Sequence, residues 1–339
     1  MKHFTIAFLI SLLPFLLTAQ EANSSAELPA DRKGQFWLGG NSNLAANSDA
    51  FAASVNGGYF FTDRLLIGSG LGYNDVIDFV VSPFARYYFQ GSDKSWRPYA
   101  QAGLTYGFSS DVGLSLAAFR LGVERTLRSS SLLNIEAGVD LLLNDLDSEQ
   151  YFLNAALNTM LGGSSGINAA TGKFQKGHLI VRSQLANFGV VNLGILNTTS
   201  IGISPSGGLF LGERLLLTGG LLVGYTSSSF DFPGSPSSNQ NTLVLDLRAG
   251  TRYYLATERI FNWFLEADLG YNRVSNNDEF FDFTVDLLRL SAGAGTSFFI
   301  SDAAALDLGA YFVQGLNEGA GNTGLVQASL IFWLTNSRK

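Results

Sequence analysis

From Lys33 onward, apolar residues recur at every second position over short stretches, and Gly, Ser, Asn or charged residues close each stretch. Period two puts successive side chains on opposite faces of an extended chain, so the pattern predicts amphipathic β-strands. The predicted strands are 35–44, 51–62, 64–73, 79–89, 99–108, 114–127, 132–143 and 151–160, followed by 178–188, 198–211, 214–225, 242–255, 261–272, 287–300, 303–312 and 324–334. Each set holds eight. An even number returns the chain to the side from which it entered, so short turns at 62–63, 90–94 and 128–131 share that side. Loops at 74–75, 109–111 and 144–150 fall on the other side. In the second set the corresponding loops at 227–241 and 275–282 are longer, and they are the expected external contacts.

The two sets are copies of one another. Gly57-Gly58-Tyr59-Phe60-Phe61-Thr62-Asp63-Arg64-Leu65-Leu66 recurs as Gly207-Gly208-Leu209-Phe210-Leu211-Gly212-Glu213-Arg214-Leu215-Leu216. Arg86-Tyr87-Tyr88 recurs as Arg252-Tyr253-Tyr254, and Ala102, Leu104 and Tyr106 recur as Ala267, Leu269 and Tyr271. Contiguous matches in the same order imply duplication. The chain therefore divides into a first repeat over 33–160, a Gly/Ser/Ala/Asn-rich linker over 161–176, a second repeat over 177–335 and a short tail, 336–339. Lys176-Gly177 at the end of the linker echoes Lys33-Gly34 at the start of the first repeat.

Parity within each strand separates two faces. Phe119, Leu121 and Val123 alternate with Ala118, Arg120, Gly122 and Glu124; Leu133, Ile135, Ala137, Val139 and Leu141 alternate with Asn134, Glu136, Gly138 and Asp140. Leu245, Leu247 and Ala249 likewise oppose Asp246, Arg248, Gly250 and Arg252, and Trp263, Leu265, Ala267, Leu269 and Tyr271 oppose Glu266, Asp268 and Gly270. In hydrocarbon every backbone N–H and C=O must be paired within the protein, so a spanning sheet has to close on itself. An Arg or Lys on the lipid face near the midplane costs about 2–4 kcal/mol, which puts the charged parity inside. The expected interior ion-pair network is Arg86 and Arg120 with Glu124, Glu136 and Asp140, and Arg182, Arg248, Arg252 and Arg289 with Asp246, Glu266, Asp268 and Asp307. Tyr59, Phe61, Tyr87, Phe89 and Tyr253 at one set of strand ends, and Tyr73, Tyr106, Phe108 and Tyr271 at the other, are the expected aromatic girdles.

Composition agrees with this reading. The 339-residue chain is 46% hydrophobic but only 14% charged, and strict alternation hides that content from any helix-length hydropathy window. Met1-Lys2-His3 opens on a basic residue, 4–17 is an apolar run, and Thr18-Ala19-Gln20 offers a small residue for cleavage. Residues 1–19 are accordingly read as a cleaved signal peptide, too short to span as a helix, and 20–32 as a flexible lead. With no cysteine, disulfides, thiolate metal sites, thiol nucleophiles and a lipoprotein anchor are all excluded. The net charge of −7, without a basic cluster, removes nucleic acid as a partner.

Candidate chemistry is sparse. Beyond the leader the sole histidine is His178, on the entry side and without a nucleophile placed beside it, so a rim-located lipid hydrolase is the weakest reading. Asp145, Asp147 and Glu149 alternate in one loop, but without the Gly and spacing of a calcium loop they read as a solvated acidic surface. Gly68, Gly70 and Gly72 recur at period two and not as a phosphate loop; they read as small inward positions. No catalytic residue, cofactor or metal site is expected.

At Gly58-Tyr59-Phe60-Phe61-Thr62-Asp63-Arg64-Leu65 and Pro83-Phe84-Ala85-Arg86-Tyr87-Tyr88-Phe89 the chain resembles the outer-membrane β-barrel family common in Bacteroidetes, related in fold to the OmpA and OmpX barrels. Ile203-Ser204-Pro205-Ser206-Gly207-Gly208 and residues 247–254 repeat the likeness. The resemblance implies an all-β, transmembrane, antiparallel up-and-down barrel with an outer-membrane location. It departs from the usual single copy, so two architectures stay open. Two tandem eight-strand barrels are favoured, because eight strands leave an interior just filled by side chains and Trp37, Leu142 and Phe264 fit such a filling. One sixteen-strand barrel is the alternative. The closing Leu330-Ile331-Phe332-Trp333 resembles a terminal barrel-assembly signal, which Asn158-Thr159-Met160 of the first copy lacks. The expected function is a non-enzymatic structural or surface-interaction role, with outer-membrane lipid, lipopolysaccharide and the barrel-assembly machinery as partners; a general diffusion porin is the alternative.

Overall fold

The computed structural model describes residues 32–39, 43–46, 51–74, 78–91, 93–108, 113–127, 130–143, 149–161, 174–182, 184–192, 196–230, 238–257, 261–278, 282–301, 303–317 and 321–333. Residues 1–19, read from sequence as a signal peptide, most of the 20–32 stretch, residues 336–339 and the carboxylates Asp145 and Asp147 lie outside the described residues. The first copy contributes β1 (Phe36–Leu38), β2 (Asn43–Ala46), β3 (Phe51–Phe60), β4 (Leu65–Asn74), β5 (Asp78–Tyr88), β6 (Trp96–Phe108), β7 (Gly113–Thr126), β8 (Ser131–Leu142) and β9 (Glu149–Leu161). The second contributes β10 (Leu179–Arg182), β11 (Gln184–Asn192), β12 (Leu196–Ile203), β13 (Ser206–Phe210), β14 (Leu215–Phe230), β15 (Ser238–Tyr254), β16 (Phe261–Asp278), β17 (Phe283–Phe299), β18 (Ala304–Gly315) and β19 (Asn322–Trp333).

At the end where each copy begins, here called the floor, two separate eight-strand barrels close. In the first, β1 pairs with β3 on one side and with β9 on the other, Trp37 lying opposite Gly58 and Met160. The ring is β1, β3, β4, β5, β6, β7, β8 and β9. In the second, β10 pairs with β13 and β19, Ile180 lying opposite Gly208 and Trp333, and the ring is β10, β13, β14, β15, β16, β17, β18 and β19. Gly34 and Gly177, at φ of 85° and 86°, turn the chain into the first strand of each copy, a left-handed conformation that side-chain-bearing residues adopt only with strain.

Further from the floor, the first strand of each copy changes partner. Where β1 paired with β9, its continuation β2 pairs with β19 of the other copy, Ala45 opposite Gln327. Where β10 paired with β19, its continuation β11 pairs with β9, Phe188 opposite Leu153. At this height, called the rim, the continuous ring is β2, β3, β4, β5, β6, β7, β8, β9, β11, β12, β14, β15, β16, β17, β18 and β19, sixteen strands in all. The two eight-strand barrels thus share one sixteen-strand collar. The predicted strands 35–44, 178–188 and 198–211 are correspondingly each found in two pieces. Leu38 pairs with Gly57 and Asn43 with Ser54, so between these two pairs the first strand carries two more residues than β3 does. In the second copy the ladder is interrupted at Pro205, which has no N–H to give.

Below the collar the barrels lean on one another through side chains of lipid-facing parity. Leu157 of β9, Ala304 of β18, and Leu330 and Phe332 of β19 are buried there, with Leu38, Leu133, Val181 and Leu306 packed around them. At the floor end of this septum Ser130 Oγ donates to Ser301 Oγ at 3.1 Å. Elsewhere the same parity is bare: Leu121 is 65% exposed and Trp263 57%. Phe61, Tyr87, Phe89 and Phe108 stand exposed at the strand ends, as the girdles require. One expectation is corrected. The stretches 227–241 and 275–282 are not loops throughout, because β14 runs to Phe230, β15 starts at Ser238, and β16 runs to Asp278. Cross-strand pairs such as Tyr225–Asn241 at 2.9 Å continue the ladder there.

Candidate functional site

Each barrel is filled at its floor by large side chains. In the first, Trp37, Phe60, Leu66, Tyr88, Tyr99, Leu132 and Met160 form a buried cluster. In the second, Phe174, Ile180, Phe210, Leu216, Tyr254, Phe264, Phe299, Ile331 and Trp333 do so. Phe174 lies within the stretch read as linker, yet it sits among Tyr254 at 4.6 Å, Phe210 at 5.6 Å and Phe299 at 5.9 Å between ring centroids. An eight-strand barrel encloses just enough space for such a filling, and these side chains are almost fully shielded from solvent.

The charged residues lie on and above these plugs. In the first barrel Arg86 reaches Glu136 at 3.5 Å and Glu124 at 3.9 Å, and its Nε donates to Gln101 at 2.8 Å. Its guanidinium is sandwiched between Tyr99 and Trp37, at 4.1 and 5.0 Å from their ring centroids. Arg120 bridges Glu136 at 3.6 Å and Asp140 at 3.8 Å. Three participants come from outside the set expected from sequence. Arg32, in the lead, forms a fully buried ion pair with Glu124 and donates to Thr126 at 3.0 Å. Arg97 stacks on Tyr88 at 4.1 Å and donates to the Asp63 carbonyl. Tyr88 itself donates to Glu124 at 2.9 Å. The signal that could have found Arg32 is its place next to the Lys33-Gly34 echo.

In the second barrel Arg252 grips Glu266 through Nε at 3.2 Å and Nη2 at 2.7 Å, and pairs with Asp307 through Nη1. Ser297 donates to Asp307 at 2.6 Å, Tyr311 donates to Glu266 at 2.9 Å, and Arg182 stands 3.8 Å from Glu266. Nearer the rim, Asp246 accepts from Arg248 at 3.0 and 3.1 Å and from Arg289 at 2.6 Å. Asp268 accepts from Ser291 at 2.8 Å and makes no ion pair among the described residues.

Above each plug lies a cavity, and the two differ. The first is about 120 Å³, lined by Trp37, Phe84, Arg86, Arg120, Glu136 and surrounding amides. The second is about 320 Å³ and carries Arg182, Asp246, Arg248, Glu266, Asp268 and Arg289 on its wall. Small-molecule sites span roughly 300–1,000 Å³, so only the second reaches ligand size. His178 precedes β10 at the floor and lines neither cavity.

No protein-family model matches the chain, and no curated protein matches it in sequence. Among solved structures it is similar to a bacterial polysaccharide outer membrane secretin, at 8% identity over 89% of this chain and 98% of that one, with a TM-score of 0.48. It is also similar to an outer membrane channel from Pseudomonas putida F1, at 11% identity over 92% and 99% with a TM-score of 0.34. A third is the N-terminal β-barrel domain of Pseudomonas aeruginosa OprF, at 14% identity over 47% and 97% with a TM-score of 0.27. Likenesses this weak in sequence and shape carry no argument about activity, and the architecture rests on the strand pairing itself.

Proposed function

We propose that this chain is a non-conducting, non-enzymatic outer-membrane protein of the Bacteroidetes barrel kind, exported by cleavage of residues 1–19, with its floor toward the periplasm and its collar outside. The bare apolar parity supports the membrane placement. The single observation that carries the closed reading is that both barrels are stopped by buried aromatic clusters at one end, around Tyr88 in the first and Tyr254 in the second. A diffusion porin needs a continuous wet path, and here it would have to pass through one or other of two filled eight-strand necks. Lipid and lipopolysaccharide around the belt, and the barrel-assembly machinery during insertion, are the partners this reading requires.

The test is single-channel recording of the folded protein in planar bilayers. A quiet membrane is expected. Large, steady conductance steps would overturn the closed reading and favour the porin.

A further inference from the structure

The duplication supplies an internal comparison. Strand registers align the copies residue by residue: Phe84 pairs with Gly103 and Arg86 with Gln101, while Gly250 pairs with Asp268 and Arg252 with Glu266. One strand further, Gln101 pairs with Arg120 and Gly103 with Ala118, while Asp268 pairs with Ser291 and Gly270 with Arg289. The plug arginine is therefore common to both copies, but the layer above it has changed. Phe84 of the first copy, which fills its lumen over Gly68, becomes Gly250. Trp37 becomes Ile180. The Trp37 ring is replaced across the pair, where Met160 becomes Trp333, and Gly138 becomes Tyr311, so it is the loss of the Phe84 ring that opens the lumen above the plug.

The emptied space has gained polar groups. Ser82 becomes Arg248, Gly103 becomes Asp268, Leu116 becomes Arg289 and Ala118 becomes Ser291, by the same registers. By the same registers Arg120 gives way to Gly293, Glu136 to Gly309 and Asp140 to Val313, so the lumen charges have moved around the wall and now line the enlarged cavity. The wall balances overall, three arginines (Arg182, Arg248 and Arg289) against three carboxylates (Asp246, Glu266 and Asp268), but the close pairing is uneven. Two guanidiniums, Arg248 and Arg289, share the one carboxylate of Asp246, which leaves a net positive site, and 43% of the Arg248 side chain is open to solvent. Among the described residues Asp268 accepts a hydrogen bond from Ser291 and feels the charge of Arg248 across the lumen, but makes no close ion pair. Leu221, Leu222, Val313 and Leu325 complete the lining with apolar surface.

From this we infer that the second barrel is a binding site for a small zwitterion with an apolar body, of the size and chemistry of a free α-amino acid. Its carboxylate meets Arg248 and Arg289, and its ammonium meets Asp268. The cavity is blind because the Tyr254–Phe264 plug closes it below, so the site rests on the closed-floor reading for its shape and takes its ligand from the rim.

Calorimetric titration of the full-length folded protein in detergent with L-leucine tests this, alongside 4-methylpentanoate, which lacks the ammonium, and 3-methylbutylamine, which lacks the carboxylate. Saturable binding of L-leucine at one site per chain is expected, with both analogues at least tenfold weaker. Arg248→Gln and Asp268→Asn are each expected to weaken L-leucine at least tenfold. Thr218→Phe, which refills the cavity without removing a charge, is expected to abolish binding while the protein keeps its folded, heat-modifiable gel mobility. Absence of saturable heat from the folded wild type would overturn the inference. Equal binding of 4-methylpentanoate, or unchanged affinity in both folded charge variants, would do the same. Conductance steps accompanied by saturable binding would sink the closed floor and leave the site standing; a quiet bilayer without binding would do the reverse.

Discussion

Arg32 and Glu124 form an ion pair at the floor of the first barrel in which both side chains are wholly shielded from solvent, although Arg32 belongs to no strand. Arg32 is thereby pinned inside the barrel whose first strand it precedes. Glu124 has further contacts, Tyr88 at 2.9 Å and Arg86 at 3.9 Å, but Arg86 is already committed to Glu136 and Gln101. Removing one partner of a buried pair leaves the other charge uncompensated, at a cost of about 3–5 kcal/mol. Arg32→Ala is expected to lower the urea midpoint accordingly, and Glu124→Gln in the same background to recover part of the loss. If tryptophan fluorescence shows Arg32→Ala unfolding with the wild type, the pair contributes nothing.

The exchange of partners by the first strands makes a geometric prediction that a cysteine-free chain is well suited to test. Leu38 lies opposite Thr159 in the floor region, and Ala45 lies opposite Gln327 in the collar. Directly opposed residues in antiparallel strands have Cα atoms about 4.5–5.5 Å apart, within the range a disulfide spans. A variant carrying cysteine at all of Leu38, Thr159, Ala45 and Gln327 is expected to oxidise fully, with no thiol left to label by maleimide in the folded state. A uniform sixteen-strand barrel would close only the second pair, and two wholly separate barrels only the first.

Why this exchange was not legible in the sequence follows from the duplication itself. The alternation in 114–127 or 261–272 fixes strand and face locally, because a one-residue slip would turn Arg120 or Glu266 into lipid. Neighbour choice at a repeat boundary is different. Residues 151–160 can meet 35–44 or 178–188 with the same parity, since both follow a Lys-Gly turn and both open with alternating apolar side chains. Each pairing is realised, at a different height. The contrast between the cavities, by comparison, was readable: Phe84 against Gly250 emerges once the copies are aligned. Phe174 was hidden by its setting, a Gly- and Ser-rich stretch whose composition reads as linker although this one ring near its end packs into the barrel.

Phe174 gives a separate stability prediction. It is buried among Phe210, Tyr254, Phe299 and Trp333, so truncation leaves a void that the rigid barrel wall cannot collapse to fill. Phe174→Ala is expected to cost about 3–5 kcal/mol. Its neighbour Gln175 is exposed, and Gln175→Ala is expected to stay within about 0.5 kcal/mol of wild type. Equal urea midpoints for the two variants would show that the linker end does not plug the second barrel.

The lipid-facing parity is tested most directly at Phe119, which lies midway along β7 and is 51% exposed. If that face meets hydrocarbon, Phe119→Arg places a guanidinium near the midplane at a cost of about 2–4 kcal/mol. The inward control is Gln327→Arg, where the new charge faces the second cavity and its water. Unfolding in phospholipid vesicles is expected to separate the two variants, with Phe119→Arg well below wild type and Gln327→Arg close to it. The ordering discriminates because both substitutions introduce the same side chain into a strand interior, and only its direction differs. A reversed order, or a wild-type chain that remains folded and dissolved without detergent or lipid, would mean that the apolar face is covered by protein and not by membrane.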